Sequence, residues 1–136
     1  MEDPRGHDAV WAETEDGGLL HQLFGFYPTL HDARVRTVSY NRARDALEIT
    51  LDYEDEAEGD RSLRARITFS FTGIRSIKMS FDDNFILGLQ FHRRDALILT
   101  YFQGLGEVVA ESVEAKLAAM DPLPDEPGKP IEFELS

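Results

Sequence analysis

The groups in this chain best suited to proton transfer or metal ligation near neutral pH are four histidines, His7, His21, His31 and His92. None stands in an HxxxH or HExxH spacing, so no helix-borne zinc pair is encoded. His31 and Asp32 adjoin one another in the stretch Phe24 to Val35, FGFYPTLHDARV, and together supply two ligands. A metal centre requires a third and a fourth, which the spacing does not provide. The pair reads instead as turn chemistry: Pro28 biases Tyr27 towards extended geometry, and His31 or Asp32 hydrogen-bonds backbone where the first strand begins. Pro28, His31 and Asp32 are therefore assigned to structure.

The remaining chemical candidates lead the same way. Asp82 with Asp83, and the run Glu54 to Asp60 (EDEAEGD), place carboxylates side by side, but acid-base work requires one of them in a low-dielectric pocket. Both sites read as exposed turns or loops. The serines fall in or beside strand patterns with no nucleophile elbow, and Gly104 and Gly106 lack the third glycine or the lysine of a phosphate loop. There is no cysteine, hence no disulfide framework and no thiolate site. No catalytic residue, cofactor or metal is expected.

The elements that carry these residues alternate at the period of strands. Residues 1–18 are acidic, with Pro4, Gly6, Gly17 and Gly18, and read as a mobile arm from which Trp11 docks on the core. Leu19, Leu20, Leu23 and Phe24 share a helical face that ends at Gly25, a short helix. Strand patterns follow at Ala33 to Tyr40, with a bulge between Val35 and Val38, and at Ala46 to Tyr53 and Leu63 to Phe71, a long hairpin with an acidic tip. Ile77 to Phe81 and Phe85 to His92 read as a further pair turning at Asp82 to Asn84. Ala96 to Phe102 is apolar on both faces and reads as the centre of the sheet. Residues 104–120 carry both a helical and a bulged-strand pattern; the strand is favoured for the first half, and the helix competes for EAKLAAM. Residues 121–136 form a Pro-rich tail in which Ile131 to Leu135 alternate as a short edge strand.

The expected architecture is thus mainly β. A single domain over 19–120 holds about six to seven antiparallel strands, as a meander, curved sheet or open sandwich, with one short N-terminal helix. No βαβ unit or internal repeat is present.

Charge narrows the partners. Of the net −12, residues 1–32 hold one basic against seven acidic residues and residues 101–136 two against eight, while the centre is neutral. A negative field of this kind repels nucleic acid and anionic membrane, and a partner recognised through it is basic. The opening lacks the charge and hydropathy pattern of a secretory signal, and no apolar run reaches transmembrane length, so a cytoplasmic location is expected.

Several of these stretches resemble the immunity protein fifty family, found beside bacterial polymorphic toxins. FGFYPTLHDARV resembles its aromatic, Pro and His-Asp-Ala entry; ITFSFTGIRSIKMSF resembles its strand, Phe-x-Gly turn and strand; FDDNFILGLQF resembles its Asn-centred turn; GEVVAESVEAKL resembles its late strand, with Ala110 where a cysteine is common. The resemblance spans about residues 19–117. It implies a non-enzymatic protein that neutralises a cognate toxin by covering its active site. An acidic surface suits a basic nuclease, and Glu54, Asp55, Glu56, Glu58 and Asp60 are the partner-binding candidates. Rival expectations are a small ligand-binding or enzymatic β domain with a polar pocket, and a structural oligomerisation module.

Overall fold

The computed structural model describes residues 4–57, 61–120 and 131–135. Two helices, α1 (Pro4–Glu13) and α2 (Gly17–Phe24), precede seven strands. These are β1 (Arg34–Asn41), β2 (Ala46–Ala57), β3 (Arg61–Met79), β4 (Gly88–Arg94), β5 (Leu97–Gln103), β6 (Gly106–Met120) and β7 (Glu132–Leu135). They form one sheet in the order β4-β5-β6-β3-β2-β1-β7. Every neighbouring pair is antiparallel except β1 with β7, which is parallel.

The hairpin of β2 and β3 is the frame of the molecule. Leu47, Ile49, Leu51 and Tyr53 of β2 lie opposite Phe71, Phe69, Ile67 and Ala65 of β3, and all eight are buried. Alternation of period two, kept in register across both strands, makes one face apolar and the other polar. β3 lies between two partners, β2 along Arg61 to Thr72 on one edge and β6 on the other from Ala65↔Met120 to Met79↔Gly106, with register shifts at Arg66/Ile67 and Ile74/Ser76. Such bulges add twist and bend the strand. At the far end the backbones approach so closely that a Cβ on Gly106, at φ +134°, would sit 1.9 Å from the Lys78 carbonyl oxygen.

The bend brings distant strands together. The bridge Arg34↔Phe85 joins the start of β1 to the segment that leads into β4, at opposite ends of the strand order. Ile86 N–H donates to Ala33 O, and Asp32 N–H donates to Ile86 O. The sheet therefore closes on itself at this point, around an aromatic core. Trp11, fully buried, meets Phe69 and Phe91 edge-on and stacks on Tyr27, while Phe69 and Phe71 both pack edge-on against Phe102. Such aromatic pairs contribute about 0.5–1.5 kcal/mol each beyond burial.

The fold departs from the sequence expectation at five places. The stretch expected as a mobile arm, 1–18, contains helix α1 from residue 4, anchored by Val10 and Trp11; its charges kept the short apolar stripe from standing out. There are thus two helices. Ile77 to Phe81 do not form a hairpin with Phe85 to His92: β3 runs unbroken to Met79, and β4 lies across the sheet from it. The face expected from Phe85, Leu87, Leu89 and Phe91 is split, because Ile86 is buried and Phe85 and Leu87 are exposed; residues 84–86 answer to β1 and the β5 ladder begins only at Gly88. β5 is not central but lies between the β4 edge and β6, and only one of its faces is covered: Ile98, Thr100 and Phe102 are buried while Leu99 is half-buried and Tyr101 exposed. The sheet is mixed, since β7 runs parallel to β1. Over Gly106–Met120 the strand wins throughout, because continuous pairing with β3 overrides the helix propensity of EAKLAAM. The bulge expected in the first strand falls between Val35 and Thr37.

Candidate functional site

The residues first noticed for chemistry are set apart by the fold. His31 Nδ1 and Asp32 Oδ2 are 3.1 Å apart, with both side chains about two-thirds exposed. Pro28 is buried. Leu30 and Asp32 both have positive φ, 58° and 66°, so this turn reverses the chain tightly before β1. Among the described residues no group of three or more His, Asp or Glu side chains is placed to hold a metal ion. Asp82 and Asp83 are exposed, and Asp82 accepts a hydrogen bond from Ser80.

The five acidic partner candidates divide. Glu54 is exposed on β2 and lies 3.8 Å from Arg64. The backbone of Asp55 and Glu56, expected in a loop, continues the β2–β3 ladder opposite Leu63 and Ser62. Glu58 and Asp60 lie outside the described residues.

The polar face of the sheet holds the more organised constellation. Residues paired directly across strands share a face. Registers therefore set one row of Glu134, Ser39, Glu48, Ser70 and Glu114, running from β7 through β1, β2 and β3 to β6. A second row, Glu132, Thr37, Thr50, Thr68 and Lys116, runs beside it. In the first row a carboxylate stands on every second strand; at the usual strand spacing that is about 9–10 Å between them. Ser70 donates to Glu48 at 3.4 Å, the Thr50 and Thr68 hydroxyls are 2.8 Å apart, and Glu114 accepts from Glu15 N–H at 3.2 Å. Next to these rows Asp52 takes two hydrogen bonds from Arg66, at 2.7 and 3.1 Å, with Arg36 Nε 3.4 Å away. This triad is largely buried and its two guanidiniums outnumber its one carboxylate, which leaves the rows as the acidic part of the face.

Such a surface has acceptors, hydroxyls and spaced charge, and is suited to engaging several cations of a large partner. In Ala46 to Tyr53, Glu48, Thr50 and Asp52 alternate with Leu47, Ile49 and Leu51, which marks them as outward from the sequence alone. Their alignment with Glu114, Glu132 and Glu134 depends on long-range register, which no local signal carries. An open hollow of ≈610 Å³ lies at the sheet edge, lined by Tyr40, Arg42, Ala43 and Leu135.

The α1–α2 turn secures β6 beyond the reach of β5. Asp16 N–H donates to Ala115 O, and Asp16 Oδ2 accepts from Leu117 N–H at 2.7 Å. Glu13 pairs with Arg93 and Glu15 with Lys116. On β4, the Phe91 N–H donates to His7 Nδ1 at 3.1 Å while the His7 ring stacks on Phe91. Burial lowers the His7 pKa from its ordinary 6.5; Asp8 opposes the shift and His92 adds to it. No helix among the described residues is long and apolar enough to cross a membrane.

No family model matches this chain, and neither a curated protein nor a solved structure matches it.

Proposed function

We propose that this is a non-enzymatic, cytoplasmic immunity-type protein that binds and neutralises a cognate bacterial toxin, with a basic nuclease as the toxin class. The observation that supports this most is the outer face of the sheet, where Glu134, Glu48 and Glu114 stand on alternate strands among serines and threonines. A broad face with carboxylates about 9–10 Å apart matches spaced lysines and arginines on another protein better than it matches one small ligand. The resemblance of residues 19–117 to immunity proteins points the same way, as does the acidity of the chain. In the sequence, Glu54, Asp55, Glu56, Glu58 and Asp60 add charge of the same sign between the β2 and β3 patterns.

The test is co-expression with each toxin-like protein that a neighbouring gene encodes. Protection of the cells and recovery of a stable complex are expected, and failure of every neighbouring toxin to be neutralised overturns the reading. Replacing Glu48 and Glu114 by Gln should lower the association rate and flatten its dependence on salt. Replacing the five tip carboxylates by amides should do the same; unchanged kinetics would remove the tip from the binding surface.

A further inference from the structure

Among the described residues, strand β7 ends the sheet without completing it. Val38 of β1, buried, lies opposite Phe133, and Tyr40 lies opposite Leu135, so the inner apolar face continues onto β7. Yet Phe133 remains 58% exposed and Leu135 82%, although Phe133 meets Phe81 edge-on at 5.5 Å. The outer face of the same strand carries Glu132 and Glu134, which begin the two polar rows. The hollow beside Tyr40, Arg42 and Ala43 extends the apolar side at the Leu135 end.

We infer that β7 accepts an extended segment of a basic protein as one more strand of the sheet. The segment would set lysines or arginines beside Glu132 and Glu134, and apolar side chains beside Phe133 and Leu135. This rests on the reading that the partner is a basic protein and names how that partner is held. Edge strands offer backbone donors and acceptors to any extended chain, and alternating side-chain pockets then select the sequence. Here the selection is set by charge. A second copy of β7 added antiparallel with apolar faces aligned would place Phe133 opposite Phe133, and Glu132 opposite Glu134. Like charges directly opposite destabilise such a pair, whereas a lysine-bearing strand turns the same positions into favourable pairs. The glutamates thus discourage self-pairing and favour a basic occupant.

The probe is a capped peptide of about eight residues alternating Lys and Val, offered to the full chain. Controls are the same peptide with Glu in place of Lys, and the Lys–Val peptide interrupted by a central Pro. Binding is followed by anisotropy, and the site by hydrogen exchange at the amides of residues 132–135. The Lys–Val peptide should bind and slow exchange there. The Pro and Glu peptides should bind about tenfold or more weakly. Glu132→Lys with Glu134→Lys should invert the preference towards the Glu–Val peptide at an unchanged melting temperature. Should that variant not fold, Leu135→Ser, at a position already exposed, should weaken Lys–Val binding several-fold.

Equal binding of the Pro peptide reduces the effect to surface attraction and overturns the inference. So do unprotected 132–135 amides, or a homodimer that protects them. A toxin neutralised equally by the Glu132→Lys, Glu134→Lys variant also overturns strand addition while leaving the immunity reading intact. Peptide binding at β7 without protection from any toxin overturns the immunity reading alone.

Discussion

At the scale of single residues, two positions carry conformational or protonation demands that side-chain chemistry must meet. Asp32 sits at φ +66°, a conformation that Asp adopts more readily than Ala. Asp32→Ala should lower stability by about 1 kcal/mol, whereas Asp32→Gly should lose little, because glycine adopts this conformation freely. Denaturant midpoints of the two variants check this, and binding by the folded fraction should be unchanged in both. His7 is the second case. Its Nδ1 must be unprotonated to accept the Phe91 N–H, and its Nε2 is buried without a hydrogen-bond partner. Because the folded pKa lies below 6.5, the unfolded chain binds the extra proton first as pH falls. The stabilisation is complete above about pH 6.5 and is lost as pH falls through the folded-state value. His7→Gln retains an acceptor and should flatten the slope of stability against pH just below about 6.5, as measured by urea unfolding.

Elements are held by a few tertiary contacts at their ends. Helix α2 stops where Gly25, at φ +84°, donates its N–H to His21 O, a left-handed cap that glycine makes without steric cost. Its start is unusual, because the Asp16 side chain makes no bond to the helix and reaches Leu117 instead. The acid at this helix start thus serves the sheet, satisfying an amide of β6 that β5 does not reach. Asp16→Ala should destabilise the protein by about 1–3 kcal/mol, the cost of leaving a partly buried amide without its acceptor. Hydrogen exchange at Leu117 should accelerate more than exchange in β2; equal acceleration in both would show that Asp16 acts globally. At the β3–β6 join, Gly106→Ala should be more damaging, because backbone, not a flexible side chain, occupies the space of the new Cβ.

For the whole molecule, docking of the α1–α2 turn on β6 brings together segments whose charge is similar. Glu15 and Asp16, from the acidic first part of the chain, dock beside Glu114 and Leu117 in the acidic last part, with Lys116 as the basic contact there, while Glu13 pairs with Arg93 of β4. Screening should relieve this repulsion. Raising salt from low to physiological ionic strength should raise the melting temperature by about 2–4 °C, as a gain of roughly 0.5–1 kcal/mol would do in a chain of this size. A fall in melting temperature would mean that the cross-element ion pairs outweigh the repulsion.

What the sequence determined by itself was local. Period-two alternation in Ala46 to Tyr53 and Leu63 to Phe71 specified an amphipathic hairpin, the misphased run after Val35 specified a bulge, and Leu20, Phe24 and Gly25 specified a helix and its stop. These depend on side chains a few residues apart and on backbone preference, which are readable in order along the chain. Tertiary structure alone decided which strands are neighbours: that β3 continues past Gly73 to pair with β6, that β4 lies on the far edge, and that Phe85 meets Arg34 to close the sheet. It also decided that the charged stretch from which Trp11 was expected to dock on the core is a helix and not a mobile arm. The candidate site divides in the same way. The outward phase of Glu48 was legible, but its alignment with Glu114 and Glu134 was not, because a row across strands is fixed by hydrogen-bond register between residues far apart in the chain.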